Sequence, residues 1–88
     1  MKTNIVWRPP AFDHMSAIIR AAASRKDEFA AALRELAAAL TADPDGTGES
    51  RDPPYRVAVF GDLTFWFRPA PDEGNVYIDW VRLWKARH

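Results

Sequence analysis

Between Tyr55 and Trp84, three runs rich in β-branched and aromatic residues follow one another closely: Tyr55 to Phe60, Leu63 to Arg68 and Val76 to Trp84. Only Gly61-Asp62 and the segment Pro69 to Asn75 separate them. Short apolar runs bounded by Gly, Pro, Asp and Asn read as strands joined by tight connections, so this part of the chain predicts a three-stranded antiparallel meander. Such a small sheet needs something packed on one face before it is stable in water, and the cover has to come from the residues upstream.

Those residues predict one strand and two helices. Thr3 to Arg8 is a short β-branched and aromatic run ended by Pro9 and Pro10, which lack the N–H groups a ladder needs. Pro10 suits the first turn of a helix whose apolar residues Phe12, Met15, Ile19 and Ala22 recur at three- and four-residue spacing. Ser24, with Asp27 three residues on, reads as the cap of a second helix carrying Phe29, Leu33, Leu36 and Leu40 on one side. The alanines around that stripe favour helix and allow close approach, so the two helices are expected to form a hairpin. Residues 43–54, dense in Asp, Pro and Gly, are expected to be a loop. The 88 residues suffice for one core and one domain, 1–88. The expected fold class is α+β: a strand, a two-helix hairpin, then the meander.

Strand parity decides which residues face the helices. Tyr55, Val57 and Val59 alternate with Arg56, Ala58 and Phe60, and Leu63, Phe65 and Phe67 with Thr64, Trp66 and Arg68. A two-residue turn at Gly61-Asp62 would pair Phe60 with Leu63 and split the apolar odd-numbered set between faces. A three-residue loop or bulge, with Val59 opposite Leu63, is therefore expected. It leaves Arg56, Ala58, Thr64, Trp66 and Arg68 together on the face away from the helices. The last strand is ambiguous, because both of its alternating sets are largely apolar, as in a central strand.

Several kinds of chemistry are not supported. Without cysteine there are no disulfides, thiolate metal sites or cysteine nucleophile, a composition suited to a reducing cytoplasm. Met1 to Pro10 holds no apolar run able to act as a signal peptide, and charges at Arg20, Arg25, Arg34 and Asp62 interrupt the most apolar stretches. His14 and His88 have no second ligand at metal spacing, so no metal or other cofactor is implied. Ser16, Ser24 and Ser50 have no neighbouring histidine base, and Gly46-Thr47-Gly48 lacks the lysine ending of a phosphate loop. Asp43, Asp45, Glu49 and Asp52 read as solvated turn residues.

What remains is a sheet face with Arg56, Trp66 and Arg68, preceded by Arg51 and followed by Arg82, Trp84, Lys85 and Arg87. Guanidinium groups hold phosphates and stabilise developing negative charge, while indoles stack on bases, so an RNA-binding surface is one reading. Tryptophan and arginine also dominate protein interfaces, which makes a partner-binding groove a second. The third is structural, with Trp80 and Trp84 completing the core and arginines at its rim. The net charge is zero, so any field on this face is local.

The order of elements, with several motifs, resembles the RelE/ParE superfamily of toxins from bacterial type II toxin–antitoxin systems. The motifs are Ile5-Val6-Trp7 before a helix-starting proline, Leu36 to Leu40, Asp43-Pro44, Gly48-Glu49-Ser50-Arg51, Tyr55-Arg56-Val57, Leu63 to Arg68 and Val76 to Trp84. The resemblance implies a cytoplasmic toxin neutralised by a cognate antitoxin that wraps the sheet and helices. It acts either by ribosome-dependent mRNA cleavage or by inhibiting a target such as gyrase. The alternative is a non-toxic interaction module of the same fold using the Trp/Arg face. In the RNA-cleaving branch, Arg56 falls at a lysine position of the first meander strand, Ala58 at a second lysine and Thr64 at an arginine. Two of three basic positions are thus neutral, which leaves endoribonuclease activity open. The resemblance assigns a catalytic role to Arg56, Arg68, Lys85 and Arg87, and nucleic-acid or partner binding to Arg51, Trp66, Arg82 and Trp84.

Overall fold

The computed structural model describes residues 3–84. Strand β1 (Asn4–Trp7) leads into helix α1 (Pro9–Ala21), a single 3-10 turn (Ala23–Arg25) and helix α2 (Lys26–Ala42). Strands β2 (Glu49–Ser50), β3 (Arg56–Phe60), β4 (Leu63–Ala70) and β5 (Asn75–Leu83) follow. The class is α+β, but the sheet is larger than a three-stranded meander. It has five strands in the order β1-β5-β4-β3-β2, with β1 parallel to β5 and the remaining pairs antiparallel.

Both additional strands satisfy backbone groups at an edge of the meander. β1 pairs Ile5 with Val76 and Trp7 with Ile78, and Arg8 N–H donates to the Ile78 carbonyl before the prolines end the ladder. β2 lies inside the segment expected to be loop, with Glu49 opposite Val57 and Ser50 opposite Arg56. It forms because Gly48, at φ +70°, turns the chain beside β3, where a Cβ would lie 2.3 Å from the Val57 carbonyl oxygen. Asp52, at φ 43°, then helps reverse the chain toward β3.

One layer of helix covers one face of the sheet. α1 contributes Ala11, Met15 and Ile18 to the core and α2 contributes Phe29, Ala32, Leu36 and Leu40. Against them lie Ala58, Leu63, Phe65, Phe67, Val76, Ile78 and Val81. The expected stripe of α1 is rotated: Ile19 and Ala22 are only partly buried, and Phe12 is 60% exposed. Both sets have helical spacing, and the packing of α1 on β5 selects the one containing Ala11 and Ile18. Ser24 is not a cap, because the chain continues turning through the 3-10 segment and α2 begins at Lys26 with no side-chain cap hydrogen bond. Arg25 ties this corner instead, donating to Glu28 at 2.5 Å and to Asp62, in the β3–β4 turn, at 2.6 Å. At the other end of α2, the buried Thr47 hydroxyl donates to the Asp43 carbonyl at 2.7 Å, with the Ala39 carbonyl 3.2 Å away, and so ties the following turn to the helix end.

Two predictions follow from these tethers. Gly48→Ala is expected to cost about 2 kcal/mol or more, from left-handed strain and the clash with Val57, measured as a shift in urea midpoint. The hydrogen bond from Arg25 holds the Glu28 carboxyl below its ordinary range. Its contribution to stability is present at neutral pH and lost as pH falls through that depressed value. Thermal melts of wild type and Arg25→Gln should therefore differ at neutral pH and converge in acid.

Candidate functional site

The face of the sheet turned away from the helices is set by the β3–β4 register. Gly61, with φ +59°, takes the first central position of a two-residue turn, and Phe60 pairs with Leu63. The expected loop or bulge with Val59 opposite Leu63 does not form. β3 is apolar on both parities, Val57 and Val59 against Ala58 and Phe60, so hydrophobicity alone did not choose between them. With this turn Ala58 is buried beneath the helices, and Val59 is 62% exposed on the open face.

A bulge further along resolves the ambiguity of β5. Trp66 pairs with Trp80 and Phe67 with Ile78, so Asp79 has no opposite number on β4. Parity therefore switches at Asp79: Val76 and Ile78 face the core before it, and Val81 faces the core after it. Trp80 and Arg82 are turned to the open face, with exposures that rule out the core role considered for Trp80 and Trp84, which are 43% and 60% exposed.

The open face consequently has three rungs: Val57–Trp66–Trp80, Val59–Thr64–Arg82, and Arg68–Tyr77–Val6. Val57, Val59, Thr64, Trp66 and Arg82 from the first two line a shallow groove of about 640 Å³ completed by Arg51 and Trp84. The Trp84 N–H donates to the Asp62 carbonyl at 2.7 Å, which anchors that end of the groove at the β3–β4 turn. Arg51 makes a loose, exposed pair with Glu49 at 3.3 Å, a contact that leaves it available to a partner. At the margin of the face, the half-buried His14 ring lies 4.5 Å from Trp80. Its Nδ1 is buried without a hydrogen-bond partner among the described residues, as is Oδ2 of Asp79 in the bulge.

The residues expected to act divide into two groups. Arg51, Trp66, Arg82 and Trp84, the binding set, line the one groove. The catalytic set is not brought together. Arg56 pairs with Phe67 and so has the parity of the helix side, a correction that follows from the register. Its guanidinium donates to the Thr47 and Gly48 carbonyls at 2.8 and 2.9 Å, holding the loop after α2. Arg68 lies on the open face, its guanidinium carbon 4.7 Å from the Tyr77 ring centroid. Lys85 and Arg87 lie outside the described residues. Ala58 and Thr64, matched above to basic positions, are on opposite faces.

Parity reasoning missed Val57 and Val59, whose only signal was the two-residue Gly-Asp spacing itself. It also passed over Tyr77, which pairs with Arg68 across β4 and β5, and Arg8, which comes near Tyr77 because β1 joins the sheet. Chemically, the face offers indoles for stacking and guanidinium groups for hydrogen bonding. Guanidinium stays protonated and is a poor proton acceptor, so these arginines are suited to holding an anion or a partner rather than to taking up a proton. No family model and no curated protein matches the chain.

The division of the arginines is testable by denaturation. Arg56→Ala should cost about 1–2 kcal/mol by freeing two backbone carbonyls from a charged donor. Trp84→Ala and Val59→Ala, both exposed, should stay within about 0.5 kcal/mol of wild type.

Proposed function

We propose that the chain is the toxin partner of a type II toxin–antitoxin pair and that it arrests growth by occupying a macromolecular target with its open sheet face, without cutting RNA. The order of elements and the motifs between Ile5 and Trp84 support the toxin assignment. The observation that carries the mode of action is the position of Arg56: it is spent on the Thr47 and Gly48 carbonyls, on the side of the sheet away from Trp66 and Arg82. A cleaving face would need that side chain, or its neighbour at position 58, beside the scissile phosphate. What the open face presents instead is a groove of valines and indoles with arginines at its edge, the composition of an interface whose anchors are Trp and Arg.

The helix side has a second concavity, of about 300 Å³, bounded by Ile5, Trp7, Phe12, Met15, Leu33 and Leu36. An antitoxin segment that wraps the helices would cover this apolar surface and shield the 60% exposed Phe12.

Induced expression in a bacterial host tests the assignment. Arrest is expected, rescued by co-expression of the adjacent reading frame, with transcripts intact by primer extension. Combining Trp66→Ala with Arg82→Ala should abolish arrest while leaving the melting temperature near that of wild type. Discrete transcript cuts would overturn the non-cleaving mode, and the absence of arrest would overturn the toxin assignment itself.

A further inference from the structure

We infer that the outer edge of β1 is a docking site for an extended segment of a partner polypeptide, which adds a further strand to the sheet and sets apolar side chains against the concavity beside α1 and α2. Strand β1 stands at the end of the strand order, so one side of it has no neighbour among the described residues. The Asn4 and Arg8 N–H groups donate to the Gly74 and Ile78 carbonyls. Alternate residues of a strand direct their backbone groups to the same side, so those of Ile5 and Trp7 point away from β5. Their N–H and carbonyl groups form an open row, a template for another chain. The opposite edge of the sheet is blunted, since β2 is only 2 residues long and carries Glu49, with Arg51 next to it. Between Asn4 and Trp7 neither a charge nor a proline interrupts the row.

The same two residues turn their side chains toward the helices. Ile5 and Trp7 are only partly buried against the core and, with Phe12, Met15, Ile19 and Leu33, bound the concavity of about 300 Å³. Residues of an incoming strand that pair with Ile5 and Trp7 point to that same side, because opposite residues in neighbouring strands share a face. Apolar side chains at those alternate positions meet the concavity at its β1 wall, near the exposed Phe12. A helical segment would reach the concavity and leave the backbone row of β1 unanswered, whereas an extended one satisfies both.

Charge and length complete the description of the partner. Arg8 is exposed at the end of the row, its guanidinium carbon 5.8 Å from the Tyr77 ring centroid, and among the described residues it makes no side-chain hydrogen bond and no ion pair. A segment that alternates apolar with polar residues and carries a carboxylate beside Arg8 therefore complements the edge. Pro9 and Pro10 end the ladder, so the paired stretch is no longer than β1 itself, 4 residues. The β1 of a second copy of this chain has no acid to set beside Arg8, which favours a different polypeptide. Which protein supplies the segment rests on the toxin assignment above; the edge itself does not.

The purified, isotope-labelled full chain is titrated with a short synthetic peptide in which valine alternates with threonine and the ends carry glutamate, and amide hydrogen exchange is followed residue by residue. In the free chain the Asn4 and Arg8 amides should be protected and those of Ile5 and Trp7 should exchange fast. Bound peptide should slow Ile5 and Trp7 roughly tenfold or more. Two N-methylated peptides separate a strand from any other bound form. Methylating the alternate amides that face β1 should weaken binding roughly tenfold, and methylating the other set should leave it nearly unchanged. Arg8→Gln should weaken binding roughly threefold at an unchanged melting temperature, and Arg51→Gln, beside the opposite edge, should not. The inference is overturned if the peptide does not bind, if both methylated peptides bind alike, if Arg8→Gln binds like wild type, or if Ile5 and Trp7 stay unprotected in the complex. Protection of Ile5 and Trp7 that rises with the concentration of the chain alone would give the edge to a second copy and overturn the partner. Growth arrest is not read in this titration, so its failure is distinguishable from failure of the toxin assignment.

Discussion

The pairing of Phe60 with Leu63 across the Gly61-Asp62 turn is the constraint on which the rest of the molecule depends. A side-chain period of two means that a slip of one residue would exchange every side chain of β3 between core and solvent. In the observed register Ala58 and Phe60 face the helices, Ala58 within the core and Phe60 packed against it. Val57 and Val59 are released to the open face, where they supply the apolar floor of the groove. The same register gives Arg56 the parity of the helix side, within reach of the carbonyls that follow α2. A loop one residue longer would have put Arg56 beside Trp66 and left Thr47 and Gly48 without their donor.

The bulge at Asp79 has a comparable effect on the other side of β4. It lets a nine-residue strand bury Val76, Ile78 and Val81 on one face although their numbering mixes parities. Trp80 and Arg82 are thereby delivered to the face that already carries Trp66 and Thr64. Bulges commonly re-aim side chains next to functional surfaces, and this one assembles most of the indole surface of the molecule. The Oδ2 of Asp79 is buried without a partner among the described residues, so the bulge carries a desolvation cost of its own.

The arginines separate by what they bond. Arg25 and Arg56 are committed to the chain itself, one to two carboxylates and the other to two carbonyls. Arg8, Arg51, Arg68 and Arg82 are distributed along the open face, where Arg51 alone has an ion-pair partner among the described residues. On the helices Asp13, Asp27, Glu28 and Glu35 are nearly balanced by Arg20, Lys26 and Arg34, and the acids that offset the open face lie mostly in the connections, at Asp43, Asp45, Asp52, Asp62, Asp72 and Glu73. A chain of zero formal charge thus carries a locally cationic sheet face, and composition could not reveal this because it sums over the whole chain.

The sequence by itself determined the kinds of elements and most of their limits. The proline pair ends β1, the Leu36 and Leu40 stripe marks the buried side of α2, and alternating apolar runs make β3, β4 and β5. It also determined that Arg51, Trp66, Arg82 and Trp84 were candidates for one surface, because residues of that chemistry are seldom spent on a core. Tertiary structure alone decided how these parts met. A two-residue turn rather than a longer loop reversed the faces of β3, since both faces were apolar enough to be buried. Strand β1 added itself to β5, a pairing between residues about seventy positions apart that no local pattern encodes. That pairing brings the Arg8 guanidinium to 5.8 Å from the Tyr77 ring centroid, a neighbourhood that only the folded sheet creates.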